Sequence, residues 1–194
     1  MTAYLGLGTN LGEDKAANLR QAVDMLHEQA GHVFACSTFI ESEPWGFQST
    51  NTFLNAVIAI ETTYTPHQLL AITQSIERAM GRTHKSTNGN YTDRIIDIDI
   101  LLYDDIIIDT PELTIPHPLI LQREFVYRPL LEIAPQLRSS LGFISSLAER
   151  DFGIDLSSRD EENSGLFISN EDRLHSLSIA SKLTCARWHY PCEN

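Results

Sequence analysis

The chain has 194 residues, and 14 Lys and Arg side chains against 26 Asp and Glu give a formal net charge of −12. This acidity disfavours general binding to nucleic acid or to anionic membranes, because both require a basic surface. The sequence has no stretch of about 18 uncharged apolar residues and no basic segment leading into an apolar one at its start, so we expect neither a membrane span nor a signal peptide. Its sparse cysteines, Cys36, Cys185 and Cys192, favour reduced thiols in the cytoplasm over a disulfide framework.

The first part of the chain alternates strand and helix patterns. A short apolar strand is predicted over 3–8, and a helix over 13–30, where apolar residues recur at helical spacing. A second strand is predicted over 32–42. The third, over 53–61, alternates its side chains between the two faces of a sheet.

The next helix, predicted over 65–80, has the clearest local signals. Thr65 is suited to the N-cap, Pro66 to the first helical position, and Gln68 completes a capping box. The apolar stripe that we expect to be buried comprises Leu69, Ile72, Ile76 and Met80. By the same periodicity, Gln74 and Glu77 lie off this stripe and are expected to be available for other contacts.

The remaining pattern completes a fold prediction. Residues 82–94 are polar and rich in Gly and Asn, which indicates a loop, and an apolar strand is predicted over 95–103. The order βαββαβ predicts an α+β fold, a ferredoxin-like sandwich in which helices pack on an antiparallel sheet. We expect one domain over 1–138, followed by a Ser-rich, acidic extension over 139–194 that is loosely packed or partly disordered.

The strongest local signal for chemistry is the pair Asp97 and Asp99. On a strand both side chains share one face, with their Cα atoms about 6.6 Å apart at roughly 3.3 Å per residue. In a cleft, two like charges at that distance call for a cation, and oxygen ligands favour Mg²⁺ over zinc. The alternative is a solvated strand face that carries two ordinary acids.

Cationic side chains surround this strand in the sequence. They lie in the loop before it (Arg82, His84, Lys85 and Arg94) and in the segment after it (His117 and Arg123). Flexible loops that bring such groups to a carboxylate pair are typical of phosphoryl transfer, where cations neutralise the charge on the transferring group. Taken singly, each of these residues fits better as an ordinary solvated loop charge.

An ordered set of short motifs resembles the 6-hydroxymethyl-7,8-dihydropterin pyrophosphokinase family over about residues 1–137. The motifs are Gly8-Thr9-Asn10-Leu11-Gly12, Phe53-Leu54-Asn55, Gln74-x-x-Glu77, Gly81-Arg82, Arg94-x-x-Asp97-x-Asp99 and Pro116-His117. The resemblance implies the ferredoxin-like fold. It also implies transfer of the pyrophosphoryl group of ATP to the pterin hydroxymethyl group, with release of AMP.

The resemblance also implies roles at the phosphates and the nucleoside. Asp97 and Asp99 would hold two Mg²⁺ ions, and Arg82 and Arg94 would close over the phosphates of ATP. Further ATP contacts implied by the family are Gln74, Glu77, Lys85, Ile100 (through its backbone), Thr114, His117 and Arg123.

For the pterin, the resemblance implies two stacking rings, Phe53 and Phe125, and the amide of Asn55 at the hydrogen-bonding edge. Ser42 and Pro44 would face the same edge through the loop backbone, and Trp45 would serve as a lid. The expected partners are therefore small molecules, bound by a cytoplasmic monomer.

The sequence departs from the family pattern in three places. Tyr91-Thr92-Asp93 stands where similar proteins often carry Trp-Gly-Pro, Glu112 where they often carry a basic residue, and His84 where several carry Arg. In the extension, Cys185, His189 and Cys192 have a spacing that fits zinc, but a firm fourth ligand is lacking. The preferred interpretation is an unstructured tail in which these cysteines have no metal.

Two other function classes stay open from the residues alone. Ferredoxin-like domains also serve as regulatory modules that bind small molecules, a role that does not need the two aspartates together with Arg82 and Arg94. A nucleotidyl transferase would also use an Asp-x-Asp pair. It would release pyrophosphate, rather than AMP, from ATP.

Overall fold

The computed structural model of the protein describes residues 1–81 and 92–137. Along the chain its elements are β1 (Thr2–Thr9), α1 (Lys15–Gln29), β2 (His32–Cys36), β3 (Ile40–Ser42), β4 (Phe53–Glu61), α2 (Pro66–Ala79), β5 (Asp97–Tyr103), β6 (Ile108–Asp109), β7 (Thr114–Ile115) and α3 (Glu124–Ile133). None of the helices in these two ranges is long and apolar enough to cross a membrane.

The main sheet is antiparallel and has the strand order β2-β4-β1-β5, with the short β3 paired to the other end of β4. Two βαβ-type halves that interleave in this order form the ferredoxin-like sandwich, so the predicted fold is confirmed. In the register of the sheet, Gly8 lies between Asn55 and Asp97, and Gly6 lies beside Asp99. The central strand β1 therefore carries glycine where its neighbours carry polar side chains.

Two hydrophobic cores cover the two faces of the sheet. On one face, α1 and α2 bury residues such as Leu5, Leu26 and Ile58. On the other, α3 buries Leu101 and Leu130. Because successive strand residues point to opposite faces, the alternation predicted for β4 is confirmed. The side that carries α3 also carries the functional groups described below.

The helix signals in the sequence are confirmed in detail for α2. The Thr65 hydroxyl accepts from the Gln68 backbone N–H, and the Gln68 side chain accepts from the Thr65 N–H. Gly81, with φ of +103°, follows the helix. The buried side of α2 is rotated relative to the predicted stripe, however, because Thr73 and Glu77 are buried against the sheet.

The predicted strand over 32–42 was wrong as a single element, because Ser37 interrupts it. The Val57 backbone N–H donates to the Ser37 hydroxyl at 2.9 Å instead of to a backbone carbonyl. The Ser37 N–H still donates to the Val57 carbonyl at 2.9 Å, but with the hydroxyl in place of a carbonyl acceptor the paired residues end at Cys36 and resume at Ile40.

The strand predicted over 95–103 begins later than expected. Arg94 exchanges hydrogen bonds with Asn10 instead of with the ladder, and β5 therefore begins at Asp97.

Candidate active site

A cleft of about 300 Å³ opens on the α3 side of the sheet. It lies over β1, β4 and β5, between the loop that follows β3 and the start of α3. Ten of the predicted site residues line it: Ser42, Trp45, Phe53, Asn55, Arg94, Asp97, Asp99, His117, Arg123 and Phe125. Residues separated by up to 83 positions in the sequence are thus brought together in one cavity.

The floor of the cleft is open because β1 carries glycine there. A Cβ atom at Gly8 would lie 3.1 Å from the Asn55 Oδ1 and 3.7 Å from the Phe53 ring. A Cβ at Gly6 would lie 3.3 Å from a terminal methyl carbon of Leu101. Side chains at these positions would occupy the space in which a ligand has to sit.

Two carboxylate–guanidinium pairs stand at one end of the cleft. Arg94 Nη1 lies 3.1 Å from Asp97 Oδ2, and Arg123 Nη1 lies 3.7 Å from Asp99 Oδ2. Both arginine side chains are largely buried, with 9% and 12% of their surfaces exposed. In a poorly solvated cleft such charges interact more strongly than they would in water.

The environment of the carboxylates favours binding of a cation. Desolvation and the neighbouring Asp97 carboxylate raise the pKa of Asp99 to about 7, and this rise outweighs the opposing effect of Arg123. Within residues 1–81 and 92–137, no group of three or more His, Cys, Asp or Glu side chains is placed to hold a metal ion. A cation such as Mg²⁺ held by Asp97 and Asp99 would need further oxygen ligands, because it prefers octahedral coordination.

His117 was expected to be one of the cations, and this was wrong. Burial and the nearby Arg123 lower the pKa of His117 to about 4, so the imidazole is neutral near pH 7. Its Nδ1 accepts from the Leu119 N–H at 3.2 Å, and therefore its proton resides on Nε2. His117 thus offers the cleft a neutral hydrogen-bond donor.

The other end of the cleft is aromatic and holds one oriented amide. The Asn55 Nδ2 donates to the Ile40 carbonyl at 3.2 Å and to the Ser42 hydroxyl at 3.0 Å. Because its donor is used in this way, Asn55 presents its acceptor oxygen above Gly8. The Phe53 ring lies beside it, with Phe47 edge-on at 6.1 Å between ring centroids.

Arginine side chains also contact the aromatic rings. The Arg94 guanidinium carbon lies 5.5 Å from the centroid of the Phe53 ring, and that of Arg123 lies 4.7 Å from the Trp45 ring. These distances are within the range of cation–π attraction. The two ends of the cleft are therefore in direct contact.

The predicted nucleotide residues on α2 and the edge of the sheet do not line this cleft. The expectation that Glu77 is free for other contacts was wrong: its side chain is buried, and Oε1 accepts from the Ile98 N–H at 2.8 Å. Gln74 lies one turn earlier on α2. The Ile98 N–H points away from β1, toward Glu77. The Ile100 N–H points the same way, because residues two apart on a strand share this direction.

Three further predicted residues also lie away from the cleft or outside the described part. Thr114 belongs to β7, and Pro44 does not line the cleft, although its neighbours Glu43 and Trp45 do. Arg82, His84 and Lys85 fall outside the described residues, as do the extension over 139–194 and its Cys185, His189 and Cys192.

Sequence reasoning missed several lining residues, among them Gly6, Phe47, Leu101, Leu119 and Val126. The alternation Gly6-Leu7-Gly8 within a strand was an available signal, since it removes every side chain from one face over this length. Phe47 stands in an irregular loop, where no periodicity indicates its direction.

Comparison with known proteins gives consistent matches over the described domain. The family model described as "7,8-dihydro-6-hydroxymethylpterin-pyrophosphokinase (HPPK)" matches residues 4–135. A protein of Porphyromonas gingivalis named 2-amino-4-hydroxy-6-hydroxymethyldihydropteridine pyrophosphokinase is 50% identical over 135 residues, which cover 69% of this chain and 91% of that one. A protein of the same name from Bacillus subtilis is 41% identical over 136 residues, which cover 70% of this chain and 79% of the relative.

Among solved structures, Plasmodium falciparum HPPK-DHPS with pteroate superposes with a TM-score of 0.59 at 15% sequence identity. The match covers 81% of this chain and 46% of that one, so the chain spans about half the length of this neighbour. At this identity the likeness supports the fold alone.

Proposed function

The chain belongs to the 7,8-dihydro-6-hydroxymethylpterin-pyrophosphokinase family, and from this premise we propose how its cleft carries out the reaction. The protein is an ATP-dependent pyrophosphokinase of folate biosynthesis. It transfers the pyrophosphoryl group of ATP to the hydroxymethyl group of 6-hydroxymethyl-7,8-dihydropterin and releases AMP. Membership of this family excludes the two other functions that the residues alone left open, a regulatory module and a nucleotidyl transferase. The observation that carries the proposal is the meeting of a carboxylate pair, two buried guanidiniums and an aromatic–amide surface in one cleft.

Asp97 and Asp99 would hold two Mg²⁺ ions. The donor set fits this metal, because Mg²⁺ is commonly bound through one or two carboxylates together with substrate phosphates. The raised pKa of Asp99 supports the assignment, since a divalent cation would relieve the repulsion between the carboxylates. Bound there, Mg²⁺ would supply positive charge against the phosphates and make a coordinated hydroxyl a better nucleophile.

Arg94 and Arg123 would neutralise negative charge on the phosphates. Each lies beside a carboxylate that would receive the metal, so the guanidiniums are already in place where the β- and γ-phosphates must pass. His117, neutral and protonated on Nε2, would donate a hydrogen bond to a phosphate oxygen. Arg82 and Lys85 would close over the same groups.

The pterin would occupy the aromatic end of the cleft, over Gly8. The Asn55 oxygen would accept from an N–H at the edge of the heterocycle, and Phe53 and Phe125 would contact its faces. The loop from Ser42 through Pro44 to Trp45 would cover the other edge. In this placement the hydroxymethyl group would point toward Asp97 and Asp99.

The nucleoside of ATP would lie beyond the carboxylates, along the free edge of β5. Ile100 would contact the nucleoside through its outward backbone groups, and Gln74 on α2 and Thr114 on β7 would contact it through their side chains. The acidic composition argues against a nucleic-acid partner, and we propose a cytoplasmic enzyme that acts as a monomer on small-molecule substrates.

The test is an assay of the full chain with ATP, Mg²⁺ and 6-hydroxymethyl-7,8-dihydropterin, in which AMP is measured with and without EDTA. Asp97→Asn and Asp99→Asn should each lower kcat by orders of magnitude while the melting temperature is retained. The matched control is Asp105→Asn, because Asp105 is exposed in the turn after β5. Near-normal turnover in both cleft variants would remove the metal assignment.

A further inference from the structure

The carboxylate of Asp93 joins three separate segments next to the cleft. Its Oδ1 accepts from the Asn10 Nδ2 at 2.6 Å, and its Oδ2 accepts from the Asn51 Nδ2 at 2.8 Å. Asn10 belongs to the turn between β1 and α1, and Asn51 to the loop that leads into β4. Hydrogen bonds from Ser49, Asn10 and Asn51 hold the pKa of Asp93 below its usual range, so the group is ionised near neutral pH.

Asn10 extends this connection to the backbone of Arg94. The Arg94 N–H donates to the Asn10 Oδ1 at 2.8 Å, and the Asn10 N–H donates to the Arg94 carbonyl at 3.1 Å. Asn10 is almost fully buried. The bond from the Arg94 N–H fixes which end of the Asn10 amide is the oxygen. The Nδ2 at the other end therefore points to residue 93, where the Asp93 carboxylate accepts from it.

The same cluster bears on the Phe53 ring. Asn51 is two residues before Phe53, and the Arg94 guanidinium lies over that ring while it faces Asp97. The Asp93 carboxylate thus holds the backbone at Arg94 through Asn10. Through Asn51, it also holds the loop that leads into β4, the strand that carries Phe53. Asp93, Asn10 and Asn51 have no role toward the substrates in the proposed function, whereas Arg94 and Phe53, which they support, do.

We propose that Asp93 is a positioning residue for the transfer reaction: its two hydrogen bonds hold Arg94 where its guanidinium meets the phosphates. The proposal rests on the role proposed above for Arg94. A carboxylate supplies both acceptor atoms without a competing donor, so Asn10 and Asn51 can each donate to it. Asparagine can also serve, because Asn51 is able to turn its amide and accept from the new donor.

The experiment compares Asp93→Ala and Asp93→Asn in the AMP-release assay. Asp93→Ala should lower kcat by about tenfold to a hundredfold, the usual effect of removing a group that orients a reactive one. Asp93→Asn should retain most of the activity. The matched control is Asp14→Ala, which removes the N-cap acceptor of the Ala17 N–H on α1. It should lower the melting temperature and leave kcat unchanged.

A double-mutant cycle separates positioning from a general loss of structure. If Asp93 acts through Arg94, then adding Asp93→Ala to Arg94→Ala should change kcat by less than about twofold. A full, multiplicative effect in that background, or a wild-type kcat in Asp93→Ala, overturns the proposal. Should Asp93→Ala fail to fold, Asn51→Ala removes one of the two bonds and must show the same dependence on Arg94. A normal kcat in Arg94→Ala alone refutes the role of Arg94 in the proposed function instead.

Discussion

Gly8→Ala tests where the pterin binds. The new Cβ would lie 3.1 Å from the Asn55 Oδ1, closer than an ordinary contact, and 3.7 Å from the Phe53 ring. Asn55 has little freedom to yield, because its Nδ2 is bonded to the Ile40 carbonyl and the Ser42 hydroxyl. Overpacking of this kind costs about 1–3 kcal/mol, and the methyl also stands where we place the ligand. The KM for the pterin should therefore rise about fivefold to a hundredfold.

Gly6→Ala is the matched control, since Gly6 lies two residues earlier on the same face of β1. Its Cβ would approach the end of the flexible Leu101 side chain at 3.3 Å, and that side chain is able to move. We expect a clearly smaller rise in pterin KM, and little change in ATP KM for either variant. Initial rates over a range of pterin concentrations at saturating ATP and Mg²⁺ measure both. Equal pterin KM values for the two variants would refute the placement over Gly8 and Asn55.

Three further outcomes follow from the contacts described. The pKa of Asp99 is raised to about 7 without metal, so the contribution of this group to stability is present at low pH and is lost as the pH rises from about 4 through 7. Mg²⁺ should therefore raise the melting temperature little near pH 5 and progressively more toward pH 8. Asp97→Asn should flatten this dependence on pH. Glu77→Ala should lower the free energy of unfolding by about 1–3 kcal/mol in denaturant titrations because it leaves the Ile98 N–H buried without its acceptor, whereas Glu77→Gln should lose much less. Glu132→Ala removes the acceptor of the Thr38 N–H and hydroxyl, and neither Glu132 nor Thr38 lines the cleft. It should therefore cost about 1 kcal/mol of stability while kcat stays at the wild-type value, and a reduced kcat would contradict the separation of this contact from the site.

Local signals in the sequence were sufficient for the fold. The capping box at Thr65 and the alternation in β4 depend on neighbouring residues, and both were predicted correctly. Ser37 could not be recognised as a break, since its hydroxyl ends the ladder only because Val57 lies opposite. The start of β5 was missed for the same reason: Asn10, far away in the sequence, holds Arg94 out of the strand.

For the site, the sequence predicted residue types better than their electrostatic states. Asp97 and Asp99 could be placed on one face from the period of a strand alone. That His117 is neutral depends on its burial and on Arg123, which no spacing reveals. Glu77 was misjudged because helical periodicity gives the angle between residues but not which elements lie around the helix, and β5 lies on the flank that faces Glu77.

The pairing of each cleft carboxylate with an arginine has a consequence for how the enzyme takes up its substrates. Arg94 lies beside Asp97 and Arg123 lies beside Asp99, so each guanidinium offsets part of the negative charge at this end of the cleft before a substrate binds. In the proposed loaded state the carboxylates would exchange guanidinium for metal, and the arginines would turn to the phosphates that arrive with it. Substrate uptake would then exchange the ionic partners of these side chains, while the net charge within the cleft changes little.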